Sequence, residues 1–158
     1  MNVSNVQFKM ILNQLSGIVG REHVIIPEAD RTIYGLDIYW VPRMLIDRGK
    51  CPPLPDAVIQ PGSVEELSEV VKLAAIHHLP VIPWGGGSGS QGGIMPIYGG
   101  LMVDLKRLNK VIEINETAGT VTAQAGINGF DLETTLNEAG WTLPHYPASV
   151  HSATLGGY

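Results

Sequence analysis

One segment organises this chain: Val81-Ile82-Pro83-Trp84-Gly85-Gly86-Gly87-Ser88-Gly89-Ser90-Gln91-Gly92-Gly93. It begins with a short apolar, strand-like run and continues with residues that carry almost no side chains. Glycine adopts positive φ angles easily, so such a backbone can direct consecutive N–H groups into one concavity. The segment therefore predicts a strand that ends in a loop able to hold a diphosphate, in which a side chain on Gly86 or Gly87 would occupy the space of the ligand.

Two common phosphate-binding motifs do not fit this loop. The spacing from Gly87 to Gly92 matches G-x-G-x-x-G, but that fingerprint requires a helix after its last glycine, and Met95-Pro96 interrupts a helix there. A P-loop requires a lysine, and no Lys or Arg occurs between Lys72 and Lys106. The pattern thus favours neither a nicotinamide Rossmann site nor an ATPase. A flexible Gly/Ser linker is the alternative, although linkers usually have polar flanks.

Composition limits the remaining possibilities. The chain has 158 residues, of which 44% are hydrophobic and 16% charged, so it can bury one modest core. Its net charge of −5 argues against nucleic-acid partners and acidic membrane surfaces. Cys51 is the single cysteine, which excludes an internal disulfide. We find no signal-peptide pattern or apolar run of about 20 residues, and no metal-ligand pattern, and we expect a cytoplasmic protein with a small-molecule partner.

The first third of the chain predicts a helix followed by irregular structure. Apolar residues recur at helical spacing before Gly17 and Gly20, and they are Val6, Met10, Ile11, Leu15 and Ile18. Residues 23–26 are compatible with a short strand. The proline-rich stretch 34–55 predicts a long surface loop, either functional or simply disordered. We therefore assign residues 1–52 to an N-terminal helix and irregular loop, ahead of a domain over residues 53–158.

A β-α-β unit leads into the glycine-rich loop. Residues 57–60 form the first predicted strand, and Ser63 with Glu66 forms a capping box for the helix that follows. The buried stripe of this helix is predicted to be Val64, Leu67, Val70, Val71, Ala74 and Ala75. The sequence Leu79-Pro80 ends the helix and delivers the strand that enters the loop.

The remainder of the chain predicts three further strands and one helix. The apolar run 101–105 is one strand, and residues 111–114 and 120–124 form a hairpin around a turn at 116–119. A helix opens at residues 126–128 and ends before Gly140, which fits the C′ position. Helix and strand signals thus alternate along the chain.

A second small-residue segment, residues 144–158, lies at the carboxy-terminal side of this helix. Ser149 and Thr154 carry hydroxyl groups that can donate hydrogen bonds to phosphate or flavin oxygens, while Gly156 and Gly157 allow a close backbone approach. Taken alone, this segment is also compatible with a plain surface loop. Combined with the first loop, it predicts a two-sided ligand site.

The two segments together resemble the FAD-binding domain of the vanillyl-alcohol oxidase and p-cresol methylhydroxylase superfamily. The resemblance rests on the triple-glycine loop and, some sixty residues later, on the pattern P-x-S-x-x-x-x-T-x-G-G beginning at Pro147. The strand at 56–61 followed by Ser63-x-x-Glu66 is also similar to the start of that domain. The resemblance covers residues 53–158.

The resemblance implies an α+β fold, the first subdomain of a two-subdomain, p-cresol methylhydroxylase-type FAD-binding fold, apparently truncated. It implies a cofactor site made of Pro83, Gly85, Gly86, Gly87, Ser88, Gly89, Ser90, Pro147, Ser149, Thr154, Gly156 and Gly157. The diphosphate is expected on residues 85–89 and the flavin and ribityl side on residues 147–157. The first loop has no histidine, so FAD is expected to be non-covalent, and His151 is expected to face solvent or lie outside direct contact.

The resemblance also narrows the expected activity. It is greatest toward D-lactate dehydrogenases, the glycolate oxidase flavin subunit and alkylglycerone-phosphate synthase, which implies the FAD-binding portion of an oxidoreductase for a 2-hydroxy acid. A synthase-like flavoenzyme is the alternative. A non-catalytic FAD- or nucleotide-binding module, completed by homodimerisation or by a missing C-terminal region, also stays open, as does a plain structural domain. The sequence predicts no specific catalytic residue.

Overall fold

The computed structural model describes residues 5–158, which form an α+β fold as predicted. Residues 1–4 of the predicted N-terminal region lie outside the described part of the chain. The helices are α1 (Asn5–Val19), α2 (Glu28–Thr32), α3 (Trp40–Asp47), α4 (Val64–Ile76) and α5 (Gly129–Glu138). The strands are β1 (Val24–Ile25), β2 (Ala57–Ile59), β3 (Val81–Trp84), β4 (Leu101–Asp104), β5 (Val111–Asn115) and β6 (Thr120–Ala123). Short 3₁₀ turns cover Arg21–His23, Ile33–Gly35 and Leu155–Gly157.

The larger sheet has the strand order β1-β2-β4-β3. β2 and β3 both pair in parallel with β4, and β1 pairs antiparallel with β2. Because β4 lies between β2 and β3, the predicted β-α-β unit crosses over one strand rather than joining neighbours. All residues of β2 and β4 are buried, whereas β3 is an edge strand with partly exposed side chains. The loop after β3 therefore starts at the rim of the sheet.

Two helices cover one face of this sheet and form the main core. Its fully enclosed side chains include Ile11 and Leu15 from α1, Val70 from α4 and Leu101 from β4. The predicted capping box is present, because the Ser63 hydroxyl accepts from the Glu66 N–H at 3.1 Å. The Glu66 carboxylate accepts from the Gly62 N–H at 2.7 Å, which closes the first turn one residue earlier than the standard motif.

The predicted buried stripes were wider than the faces that the structure buries. In α1, Val6 and Met10 are exposed by 72% and 62%. In α4, Val64 and Val71 are exposed by 60% and 44%, and the fully buried positions are Val70 and Ala74. A narrow buried face on each helix is enough to form the core, because α1 and α4 pack against each other as well as against the sheet.

The predicted surface loop over residues 34–55 was wrong in part, since it contains α3 and five buried residues. Pro42 is the third residue of α3, and a proline in the first helical turn removes an N–H that has no intrahelical acceptor. Tyr34 is buried against the second face of the large sheet, beside Val58 and Met102, and Pro55 is also buried. This segment is therefore packed structure, and its prolines occupy positions that tolerate them.

The predicted hairpin is confirmed and forms a separate two-stranded sheet, β5-β6. α5 packs on it through Leu132 and Leu136, which join Ile127 in a second small core. The Asn128 side chain accepts from the Phe130 N–H at 2.9 Å and caps α5, while Gly140 has a φ of 80° just beyond the helix end. Among residues 5–158, no helix has the length and apolarity that a membrane crossing requires.

Candidate cofactor site

Two chain segments from opposite ends of the fold meet to form the site. The first is the glycine loop, defined here as residues 85–93, which follows the carboxyl end of β3. The second is the terminal loop, defined as residues 147–157, which lies beside the start of α5 through the bridge between Asn128 and Thr154. Ligands of parallel sheets commonly bind beyond the carboxyl ends of the strands, and β3 places the glycine loop there.

The two loops enclose a groove of about 310 Å³, at the lower end of the size range for small-molecule sites. Its lining residues are Pro83, Trp84, Gly85, Gly86, Gly87, Ser88, Gly89, Gly93, Ile94, Leu105, Ala125, Ala153, Thr154, Gly156 and Gly157. None of them has a titratable side chain. The groove can bind and orient a ligand, but the chemistry has to come from that ligand or from groups elsewhere.

Most of the site residues predicted from the sequence line this groove together. The exceptions are Ser90, Pro147 and Ser149, which are not part of its wall. Ser90 is exposed beyond the half-buried part of the glycine loop. Pro147 and Ser149 contribute carbonyl groups to turns, where the Pro147 carbonyl accepts from the Val150 N–H at 2.9 Å and the Ser149 carbonyl accepts from the Ala153 N–H at 2.7 Å.

The glycines are required where the two loops touch. A Cβ on Gly86 would overlap the Ser152 carbonyl, and a Cβ on Gly85 would overlap the Thr154 hydroxyl. Gly87 has a φ of 63°, and a Cβ there would lie 3.0 Å from Cζ2 of Trp84. The physical reason given above for these glycines was therefore incomplete, because added side chains at Gly86 and Gly87 would strike the protein itself.

The groove is rich in unused hydrogen-bond donors. Within residues 5–158, the backbone N–H groups of residues 85–90 donate to no described acceptor. The Thr154 side chain, on a residue only 4% exposed, likewise forms no hydrogen bond to a described residue. The indole Nε1 of Trp84 is buried and has no hydrogen-bond partner among the described residues. A buried donor normally has an acceptor, and the free N–H groups and hydroxyl beside it would suit a ligand that brings oxygen acceptors, as the diphosphate and ribityl chain of FAD would.

A buried polar cluster supports the wall of the groove behind Trp84. The carboxylate of Asp104, at the end of β4, accepts from the hydroxyl of Tyr34 at 2.9 Å and from the amide of Gln60 at 3.0 Å. Burial, together with the negative charge of Asp104, raises the pKa of Tyr34 and keeps its hydroxyl a donor. Lys106 places Nζ 4.4 Å from the centre of the Trp84 ring and 3.6 Å from Asp104.

Sequence reasoning missed this cluster and several groove residues. Asp104 ends a fully apolar strand, and a lone carboxylate in that position was an available signal of a buried polar contact. Its partner Tyr34 is 70 residues away in sequence, so no local pattern could connect the two. Ile94, Leu105 and Ala125 line the groove only because three separate turns converge there.

A surface carboxylate anchors the approach to the terminal loop. Glu133 of α5 accepts from the hydroxyls of Thr142 and Tyr146, at 2.6 and 2.8 Å, and from the Leu143 N–H at 2.8 Å. The Thr142 hydroxyl and the Leu143 N–H lower the pKa of Glu133 because they stabilise its charged form. This carboxylate therefore fixes the path of residues 142–146 before they enter the terminal loop.

The histidines lie outside the groove wall. His151 is exposed and stacks against Phe130, with ring centres 4.7 Å apart. His145 packs near Tyr158, at 5.2 Å. Among residues 5–158, no group of three or more His, Cys, Asp or Glu side chains is placed to hold a metal ion.

Comparison with known proteins assigns the chain to a family. Residues 55–158 match the FAD binding domain family. The glycolate oxidase subunit GlcD of Bacillus subtilis is 31% identical over 149 residues, which cover 94% of this chain and 30% of that protein. The alkyldihydroxyacetonephosphate synthase of Dictyostelium discoideum is 36% identical over 113 residues, which cover 70% of this chain and 18% of that protein.

Solved structures give the same assignment. An alkyldihydroxyacetonephosphate synthase superposes with a TM-score of 0.88 at 29% identity, over 96% of this chain and 31% of the synthase. p-Cresol methylhydroxylase superposes with a TM-score of 0.83 at 19% identity, over 99% of this chain and 30% of that enzyme, and shows the shared fold. The chain thus spans less than a third of the length of these proteins. The resemblance seen in the sequence is confirmed: this chain belongs to the FAD binding domain family.

Proposed function

We propose that this chain binds FAD without a covalent bond in the groove between the glycine loop and the terminal loop. The observation that carries the proposal is the set of unpartnered donors on both sides of one groove in an FAD binding domain. The absence of a histidine from the glycine loop and the stacking of His151 on Phe130, outside the groove wall, support non-covalent binding.

The two loops have different roles in this proposal. The N–H groups of residues 85–89 bind the diphosphate, and the hydroxyl of Thr154 donates to the flavin or ribityl side. Gly156 and Gly157 let the backbone approach that side closely, and Pro83 forms part of the wall. Pro147 and Ser149 act through the turn that shapes the terminal loop. Bound FAD would supply the redox chemistry, because a flavin accepts a hydride equivalent and passes electrons onward.

For the whole protein, we propose an oxidoreductase that acts on a 2-hydroxy acid. Three kinds of relative support this choice by their names. They are the glycolate oxidase subunit, a probable mitochondrial D-lactate dehydrogenase of Danio rerio at 29% identity, and a D-2-hydroxyglutarate dehydrogenase of Xanthomonas citri at 36% identity. Glycolate, lactate and 2-hydroxyglutarate all carry a hydroxyl group next to a carboxylate. The groove has no acid or base of its own, so we assign no catalytic residue.

A synthase-like flavoenzyme is the second candidate. Alkyldihydroxyacetonephosphate synthases reach 36% identity and a TM-score of 0.89 with this chain. In that case the proposed FAD site is unchanged and the substrate differs. The two candidates therefore share the cofactor proposal and separate only at the reaction.

An absorption spectrum tests the cofactor proposal. We expect oxidised-flavin bands after FAD is added and excess cofactor removed, and we expect acid precipitation to release the flavin into the supernatant. Absence of bound flavin would contradict the proposal, and flavin that stays in the pellet would contradict non-covalent binding.

Anaerobic addition of glycolate, D-lactate or D-2-hydroxyglutarate to the FAD-loaded whole protein tests the reaction. Bleaching of the flavin bands supports the oxidoreductase. Unchanged bands with all three acids contradict it, and exchange of the acyl group of an acyl-dihydroxyacetone phosphate would then support the synthase.

A further inference from the structure

The segment of residues 34–39, which we call the brace, touches the glycine loop at several points. The Ile38 N–H donates to the Gly89 carbonyl at 2.8 Å. The Asp37 carboxylate accepts from the Gly92 N–H at 3.1 Å through one oxygen. Both bonds join a part of the chain outside the matched family segment, residues 55–158, to the loop that defines the cofactor site.

The Asp37 carboxylate forms hydrogen bonds to both the brace and the glycine loop. Its second carboxylate oxygen accepts from the Tyr39 N–H at 2.9 Å, which forms a local Asx-type turn. That turn places the Tyr39 ring against Gly92, where an added Cβ would lie 2.8 Å from Cδ1 of the ring. Gly92 has a φ of 73°, so this approach requires a glycine both for its backbone angle and for space.

The other end of the brace supports the other end of the loop. The Tyr34 ring packs against the Trp84 ring with their centres 4.7 Å apart, and the Tyr34 hydroxyl is bonded to the buried Asp104. Trp84 immediately precedes the glycine loop and lies beside Gly87. The brace therefore contacts the loop region before its first glycine, at Gly89 and at Gly92.

The loop needs this outside support because its own hydrogen bonds are few. The N–H groups of residues 85–90 donate to no described residue. N–H groups that are kept free for a ligand cannot stabilise the loop that carries them. Ordering a glycine-rich backbone costs conformational entropy, and this cost weakens binding unless the loop is ordered in advance.

We propose that the brace preorganises the glycine loop for FAD, and that Asp37 is its main positioning residue. This inference rests on the proposed FAD site and extends it to a segment ahead of the matched family region. It also gives a function to the first six residues of the stretch 34–55, which the sequence left open between a functional loop and disorder.

The test compares Asp37→Ala with the unchanged chain. We expect FAD affinity, measured by fluorescence titration, to fall about tenfold or more. Asp37→Asn keeps one acceptor oxygen and should lose less. Asp47→Ala is the matched control. Asp47 is an exposed aspartate at the end of α3, and its side chain forms no hydrogen bond to a described residue. Its affinity should equal that of the unchanged chain.

Hydrogen exchange without FAD provides the second readout. The Ile38 amide donates to Gly89 and does not touch the Asp37 carboxylate, so its exchange rate reports the contact between brace and loop. We expect faster exchange at Ile38 in Asp37→Ala and unchanged exchange at Met102 in the core. Unchanged affinity with unchanged Ile38 exchange would overturn the proposal. If the unchanged chain takes up no FAD, the proposed function fails, and Ile38 exchange still decides whether the brace exists.

Discussion

The glycine loop and the terminal loop border the same groove, yet they are stabilised in opposite ways. The N–H groups at the start of the glycine loop are free, and its later residues are tied to Asp37 and Ile38. The terminal loop forms its own turns at Pro147 and Ser149. It also supplies carbonyl groups to the first N–H groups of α5, with the Ala153 carbonyl accepting from the Gly129 N–H at 3.1 Å.

The difference shows that a backbone N–H group kept free for a ligand cannot also form a hydrogen bond that stabilises its own loop. A loop that presents its N–H groups to an anion has to be held by its neighbours. A loop that contributes a side chain, such as the Thr154 hydroxyl, can use its backbone for its own stability. We therefore expect the glycine loop to depend on the brace, and the terminal loop to depend on its own turns and on its hydrogen bonds to residues 125–130.

The largest effect should follow from a substitution that disrupts the contact between the glycine loop and the terminal loop. Gly86→Val places a side chain onto the Ser152 carbonyl, so one loop has to move away from the other. We expect complete loss of FAD retention and a lower melting temperature, measured by flavin absorbance after desalting and by thermal unfolding. Gly17→Ala is the control for a glycine replacement outside the groove, because its Cβ would meet no atom within 4 Å. Retained flavin in Gly86→Val would contradict this description of the loop contact.

A smaller effect is expected at the terminal loop. Thr154→Val removes the buried hydroxyl and nearly preserves the shape of the side chain. We expect FAD affinity to fall about tenfold, or about 1.4 kcal/mol, in a fluorescence titration, because one hydrogen bond to the cofactor is lost. The melting temperature without FAD should not fall, since the hydroxyl has no partner among the described residues. Equal affinity would remove Thr154 from the site.

The stability that Tyr34 contributes beside the glycine loop should decrease at alkaline pH. The raised pKa of Tyr34 means that the folded protein holds this proton more tightly than the unfolded chain. Its contribution to stability is complete below the unfolded pKa of about 10 and is lost as the pH rises above that value. Urea unfolding at increasing pH should show this loss. Tyr34→Phe should reduce the loss, and identical pH slopes in the two proteins would contradict the assignment.

The smallest effect is expected from Ser149→Ala. The structural contribution of Ser149 comes from its carbonyl, which accepts from the N–H groups of Ser152 and Ala153, and its side chain does not line the groove. We expect FAD affinity to change by less than about twofold, because alanine keeps the same carbonyl. A loss as large as that of Thr154→Val would show that the serine hydroxyl reaches the cofactor and would restore the original expectation for it.

Local sequence patterns predicted several elements correctly. They failed where the burial of a residue depends on packing between segments distant in sequence. The capping box at Ser63, the hairpin at residues 111–123 and the Gly140 helix end were all confirmed, since each depends on residues close together in sequence. The apolar stripe of α4 was overestimated because periodicity cannot show which positions a neighbouring helix covers. α3 was missed because prolines were taken to exclude a helix, although Pro42 lies in its first turn.

The amino-acid sequence was enough to establish the glycine loop, its position after a strand, the α+β alternation and the kinship with FAD-binding domains. These features follow from backbone freedom at glycine and from spacings within short segments. Three contacts could be recognised only in the folded chain. They are the close approach of Gly86 to Ser152, the hydrogen bond between Tyr34 and Asp104, and the hydrogen bond between Gly92 and Asp37. Each joins residues more than 50 positions apart, and such contacts arise from packing, which no local spacing records.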